Sequence, residues 1–182
     1  AIVEDSDGNV ILAESGLGFI KIKAEDNSID TSFGHKGRFM GKNNNSCSGG
    51  KSRVTHSQTL AISSTGKVFG GAHADGGKVI EFTEAGNCTR VFPNSTIGAA
   101  MVRLMELRQI GGGKEYLFVA GHKNEKGKKI TSFGKGTLGE NPDQLIGPHG
   151  MAVDSEGSVY IAEVSYTAYG SNQDPPREVA SL

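Results

Sequence analysis

The stretch GMAVDSEGSVYIAEV, residues 150–164, sets two short apolar runs around the five residues DSEGS. It reads as two β-strands joined by a tight turn, because β-branched and aromatic residues flank a glycine that can supply positive φ. The same unit is written three more times, as AIVEDSDGNVILAES (1–15), TLAISSTGKVFGGAH (59–73) and MELRQIGGGKEYLFVAGH (105–122). The turn glycines Gly8, Gly66, Gly113 and Gly157 stand 58, 47 and 44 residues apart, a spacing near that of one propeller blade with insertions. A third strand is predicted after each pair: GFIKIKAEDNS, GKVIEFTEAGN, GKKITSFGKG and REVASL. The good helix formers of AAMVRLMELRQI precede the third turn glycine and are read as a strand, with a short helix as the alternative. Residues 35–56 lack apolar period and are predicted to form a polar surface loop. The units fall at about 1–40, 57–96, 100–140 and 147–182.

Composition fits many short strands. The chain has 182 residues, 27 of them glycine and 5 proline, with neither a collagen period nor low complexity. No stretch reaches the roughly 18 apolar residues of a membrane helix. A net charge of −1 and the absence of a basic stripe point away from nucleic acid. The opening AIVEDSDG starts inside a strand without initiator or signal segment, and so reads as a processed chain or a fragment.

Cys47 and Cys88 are the chain's two cysteines, and no CxxC zinc pattern is present. Sequons at Asn44, Asn87 and Asn94 lie in glycine- and asparagine-rich turns near them. Together these favour a secreted glycoprotein with a Cys47–Cys88 disulfide; two buried free thiols in a cytosolic or bacterial protein are the alternative.

The last unit resembles the NHL repeat, through Pro148, Gly150, Ala152, Val153, Asp154, Gly157, Tyr160 and Ala162, with Glu163 in place of the usual aspartate. The first unit resembles the delta-60 repeat, whose DTSFG hallmark is matched at residues 30–34; TSFG recurs at 131–134. Both resemblances imply an all-β propeller of four-stranded antiparallel blades. About four blades are visible, which implies part of a six-bladed propeller, one completed by another chain, or a closed four-bladed one. A small sheet must bury its faces by stacking against others, in agreement with that implication.

The PHG around His149 is similar to the PHS of the peptidyl-α-hydroxyglycine lyases, propellers whose axial histidines bind zinc. That resemblance implies a metal role for His149, with His56, two residues from the matching position, as the second candidate. A histidine that only begins a strand or touches a ligand is the other reading. His73 and His122 follow second strands, and His35 lies in the polar loop. Glu14 and Glu163 could coordinate calcium or accept turn amides. Asp5, Asp7, Asp154 and Glu156 belong to the first turns, where carboxylates satisfy backbone amides. The insertion EVSYTAYGSNQDPPREV offers Tyr166, Tyr169 and Arg177 for recognition, or is an ordered loop clamped by an Asp174–Arg177 pair. The lysines of 123–129 read as a solvated hairpin tip.

No GxSxG, P-loop, GxGxxG or HExxH motif occurs. The reading that follows is an extracellular module that binds protein or glycan, or assembles with other chains. A zinc- or calcium-dependent propeller lyase or hydrolase and a structural filament subunit are the alternatives.

Overall fold

Antiparallel pairing joins every named strand of the computed structural model, which describes residues 1–14, 18–39, 46–47, 50–51, 57–72, 77–93, 99–110, 113–123, 140–141 and 144–179. The first sheet is a meander of β1 (Ile2–Glu4), β2 (Val10–Glu14), β3 (Gly18–Ile22) and β4 (Arg38–Phe39). A two-residue hairpin, β5 (Ser46–Cys47) and β6 (Gly50–Lys51), follows. The second sheet is again a four-stranded meander, β7 (Ser57–Ile62), β8 (Lys67–Ala72), β9 (Lys78–Thr83) and β10 (Cys88–Phe92). The third sheet is the long hairpin β11 (Ala99–Ile110) and β12 (Lys114–Lys123), and the fourth is β13 (Pro148–Val153) with β14 (Val159–Glu163).

The chain is thus all-β, and residues 99–110 form a strand rather than a helix. Two expectations need correction. The segment 35–56 is not only a loop: Arg38–Phe39 pairs with β3, and Phe39 is buried. A two-residue strand is too short to show a period, so its apolar anchor was hidden among polar neighbours. Residues 177–179 of the expected strand REVASL are not in a strand either; they fold back on the preceding insertion. The expected strand at 127–136, with the second TSFG, lies outside the described residues.

One turn builds three of the hairpins. In DSDGN, SSTGK and DSEGS the first residue exchanges backbone bonds with the fifth and fourth: Asp5 N–H to Asn9 O at 2.8 Å and Gly8 N–H to Asp5 O at 3.1 Å, with equivalents at Ser63 and Asp154. The glycines adopt φ of +80°, +74° and +90°. This is a type I turn closed by a glycine bulge, and the positive φ is why glycine recurs. The side chain of the first residue accepts two amides, as Asp154 Oδ1 does from Glu156 (2.9 Å) and Ser158 (2.8 Å). Asp5 and Asp154 therefore have the turn role expected of them, while Asp7 and Glu156 contribute their amides.

The sheets stack in chain order. β1 and β2 pack on β7; β7, β8 and β9 pack on β11; β11 and β12 pack on β13. Because successive side chains point to opposite faces, the second sheet is buried on both. Leu60, Val68, Ile80 and Phe82 meet Ile11, Phe19 and Phe39 of the first sheet, where Phe82 stacks on Phe39 and Phe19 at centroid distances of 4.8 and 5.1 Å. Ala61 and Val79 meet Val102 and Met105 of the third. Glycine permits the close approach on β8: a Cβ on Gly70 would lie 2.1 Å from the Phe19 ring, and one on Gly71 would lie 2.6 Å from Val102.

Candidate functional site

The ends of the sheets differ in chemistry, and the turn end holds them together. The Asp5 carboxylate is wholly buried and pairs with Lys21 of β3, itself nearly buried. Burial alone would raise the Asp5 carboxyl, but hydrogen bonds from Lys21, Asn9 and the turn amides outweigh it and hold the group below its ordinary range. Lys21 Nζ also donates to Glu84 O at 3.2 Å in the second sheet. A lysine in an alternating strand reads as a surface residue, so this pair could not be found in the sequence.

The DTSFG stretch is a clasp. Asp30 Oδ1 accepts from Ser32 N–H (2.9 Å) and Oγ–H (2.6 Å), closing a turn that lowers its own pKa through those bonds. Phe33 is fully buried against Phe82. Gly34, at φ +58°, donates its N–H to Ala85 O at 2.9 Å in the turn between β9 and β10. The motif thus joins two sheets, and its chemistry is that of packing and turn closure.

The opposite end of the fourth sheet carries the residues singled out for chemistry. His149 lies in β13 beside a register shift and is exposed. Across the hairpin, Glu163 Oε1 accepts the amides of Ile146 (2.6 Å) and Gly147 (3.1 Å), the backbone role rather than the calcium one. Glu14 is exposed. The insertion after β14 is ordered: α1 (Ser165–Ala168) leads into a single 3₁₀ turn at Gly170–Asn172. Gly170 accepts Arg177 N–H at 3.2 Å, and a Cβ there would meet Arg177 O at 2.4 Å. Tyr166 is 48% exposed and Tyr169 half-buried. The clamp differs from the expected one: Arg177 forks onto Glu140, at 3.0 and 2.5 Å, not onto Asp174. The partner stands 37 residues away in sequence, beyond the reach of a local reading.

Among the described residues no group of three histidine, cysteine, aspartate or glutamate side chains is gathered for a metal. His56 and His73 lie outside the described residues, as does the side chain of His122, and His35 is exposed. Among the described residues His149 stands alone, short of the ligand set that zinc requires.

Cys88 is disulfide-bonded, and Cys47 is the only other cysteine of the chain. Their strands, β10 and β5, lie together. Asn87 of the adjoining sequon is exposed, whereas Thr89 Oγ1 donates to Glu81 O at 3.0 Å. Asn44 and Asn94 lie outside the described residues. No helix among the described residues is long and apolar enough to cross a membrane. Comparison of the chain with protein-family models, with curated proteins and with solved structures returned no match.

Proposed function

We propose that the chain is an extracellular binding or assembly module for protein or glycan, built as a run of NHL-like propeller blades. The observation that carries this reading is the stack itself. Consecutive sheets follow the chain, and the first strands β1, β7, β11 and β13 pack successively on one another, as innermost blade strands do around an axis. The disulfide at Cys88 supports an oxidising compartment. The ordered insertion after β14 presents Tyr166 on a backbone fixed by Gly170 and Arg177, and a rigid aromatic on a loop makes contact area at low entropic cost.

Two measurements on the same chain test it. A glycan array, with candidate extracellular proteins printed beside the sugars, is probed with the wild type and Tyr166→Ala. Binding weakened about tenfold in the variant, with unchanged melting, supports the reading. In parallel, the chain is equilibrated with zinc and gel-filtered. One zinc retained per chain, and lost in His149→Ala, would overturn it in favour of the metal-dependent lyase that the PHG motif implies.

A further inference from the structure

The stack has a direction. Ser6, second residue of the first turn, donates its N–H and Oγ–H to the Glu84 carboxylate of the second sheet, at 3.2 and 2.9 Å. Ser64, second residue of the next turn, donates its N–H to Glu115 of the third sheet at 2.8 Å. Each latch runs from the turn of one sheet to a carboxylate of the sheet that follows. Ser155 holds the same place in DSEGS, is exposed, and has no partner among the described residues.

The strand faces above Ser155 are bare in the same sense. The pairs Ile62↔Val68 and Val153↔Val159 close identical turns, so the registers of the second and fourth sheets superpose. Ala152, Tyr160 and Ala162 then occupy the places of Ala61, Phe69 and Gly71, which the third sheet covers. In the fourth sheet Ala152 and Ala162 are exposed, and Tyr160 is 60% exposed. At the other end of the stack, the face of the first sheet turned away from the second carries Ile2, which is exposed, and Leu12, Ile20 and Ile22, which are half-buried. Ile2 is 70% exposed and Tyr160 60% exposed, so among the described residues each terminal face keeps an uncovered apolar side chain. The turn of the first sheet that corresponds to the Glu84 turn carries an exposed carboxylate, Glu25, 3.6 Å from Lys23.

Resting on the reading of the chain as a stacked propeller module, we propose that the bare face of the fourth sheet docks the bare face of the first sheet in a second copy of this chain, head to tail. Ser155 meets Glu25 of that copy, and Tyr160 fills the place that Phe69 fills inside. What supports a second copy is continuity: the new contact repeats in direction the stacking that joins the first sheet to the second and the second to the third, and its serine meets the turn that corresponds to the one carrying Glu84. An apolar face at each end of a directional stack makes a heterologous contact, which closes into a ring or runs on as a filament.

Sedimentation velocity on the full chain tests this. The weight-average mass is expected to rise above 19.1 kDa with concentration. Tyr160→Asp and Ile2→Asp each hold the chain at the monomer with unchanged melting; should Tyr160→Asp fail to fold, Ala162→Lys on the same face replaces it. An equimolar mixture of the two face variants associates again but stops at the dimer, because each retains one intact face. A chain that stays monomeric at every concentration overturns the proposal, and so does association that survives in either variant or that mixing fails to restore. Ser64→Cys with Glu115→Cys reports the internal stack separately. A cross-link there in a strictly monomeric chain removes the docking and leaves the module reading intact, whereas its absence removes both.

Discussion

The second and fourth sheets begin with the same turn and the same register, yet the second is covered on both faces and the fourth on one. Position for position, Phe69 is packed where Tyr160 stands 60% exposed, and Gly71 is pressed against Val102 where Ala162 is open. The difference shows what neighbours do to a repeated unit. Burial on two faces forces glycine at the closest approach, and a single covered face lets alanine and a phenol with a polar tip take those places.

That comparison can be broken at its centre or sharpened at its edges. The largest effect is expected at Phe82, which is fully buried and touches Phe19, Phe33 and Phe39. Phe82→Ala should cost about 4 kcal/mol in urea unfolding, while Tyr160→Ala in dilute solution should stay within about 0.5 kcal/mol of wild type. Equal losses at the two positions would mean that the fourth sheet is covered after all.

Asp5→Asn comes next. It leaves Lys21 charged, buried and without its carboxylate, for an expected loss of about 3 kcal/mol at neutral pH. The Asp5 carboxyl sits lower in the folded chain than in the unfolded one. Its contribution is therefore complete above the ordinary aspartate value and fades as pH falls through and below it. Unfolding measured from neutral pH downward should show the wild type and Asp5→Asn converging in acid. A gap independent of pH would separate the packing of Asp5 from its charge.

The smallest of the three contrasts is steric. Gly71→Ala places a methyl 2.5 Å from Thr59 Cγ2 and should cost about 2 kcal/mol, whereas Ala162→Val at the matching exposed site should be neutral by the same thermal melt.

What the sequence revealed follows its local rules. The turn glycines at 8, 66 and 157 adopt positive φ, and the β2–β3 and β8–β9 pairings lie where alternation predicts them. The backbone role of Glu163 was also legible, as one of two readings. What stayed hidden depends on distant partners. Phe39 anchors a strand of two residues, too short for periodicity. Lys21 is buried only because Asp5 reaches it across the sheet. Glu84 and Glu115 gain their roles from serines 78 and 51 residues away. At the candidate site, His149 was read as standing just before a strand and is the second residue of β13, while the Arg177–Glu140 fork was not legible, since no local pattern names Glu140.

The clasp at residues 30–34 also sets an order of events during synthesis. All four strands of the first sheet have left the ribosome once Phe39 emerges, yet Phe33 has no ring to pack on and Gly34 no carbonyl to bond until Phe82 and Ala85 follow. For more than forty residues of translation that phenylalanine is an exposed apolar group on an unfinished edge, a state that invites wrong partners. The first sheet is therefore complete in sequence before its clasp can close, because the clasp needs Phe82 and Ala85 of the second meander.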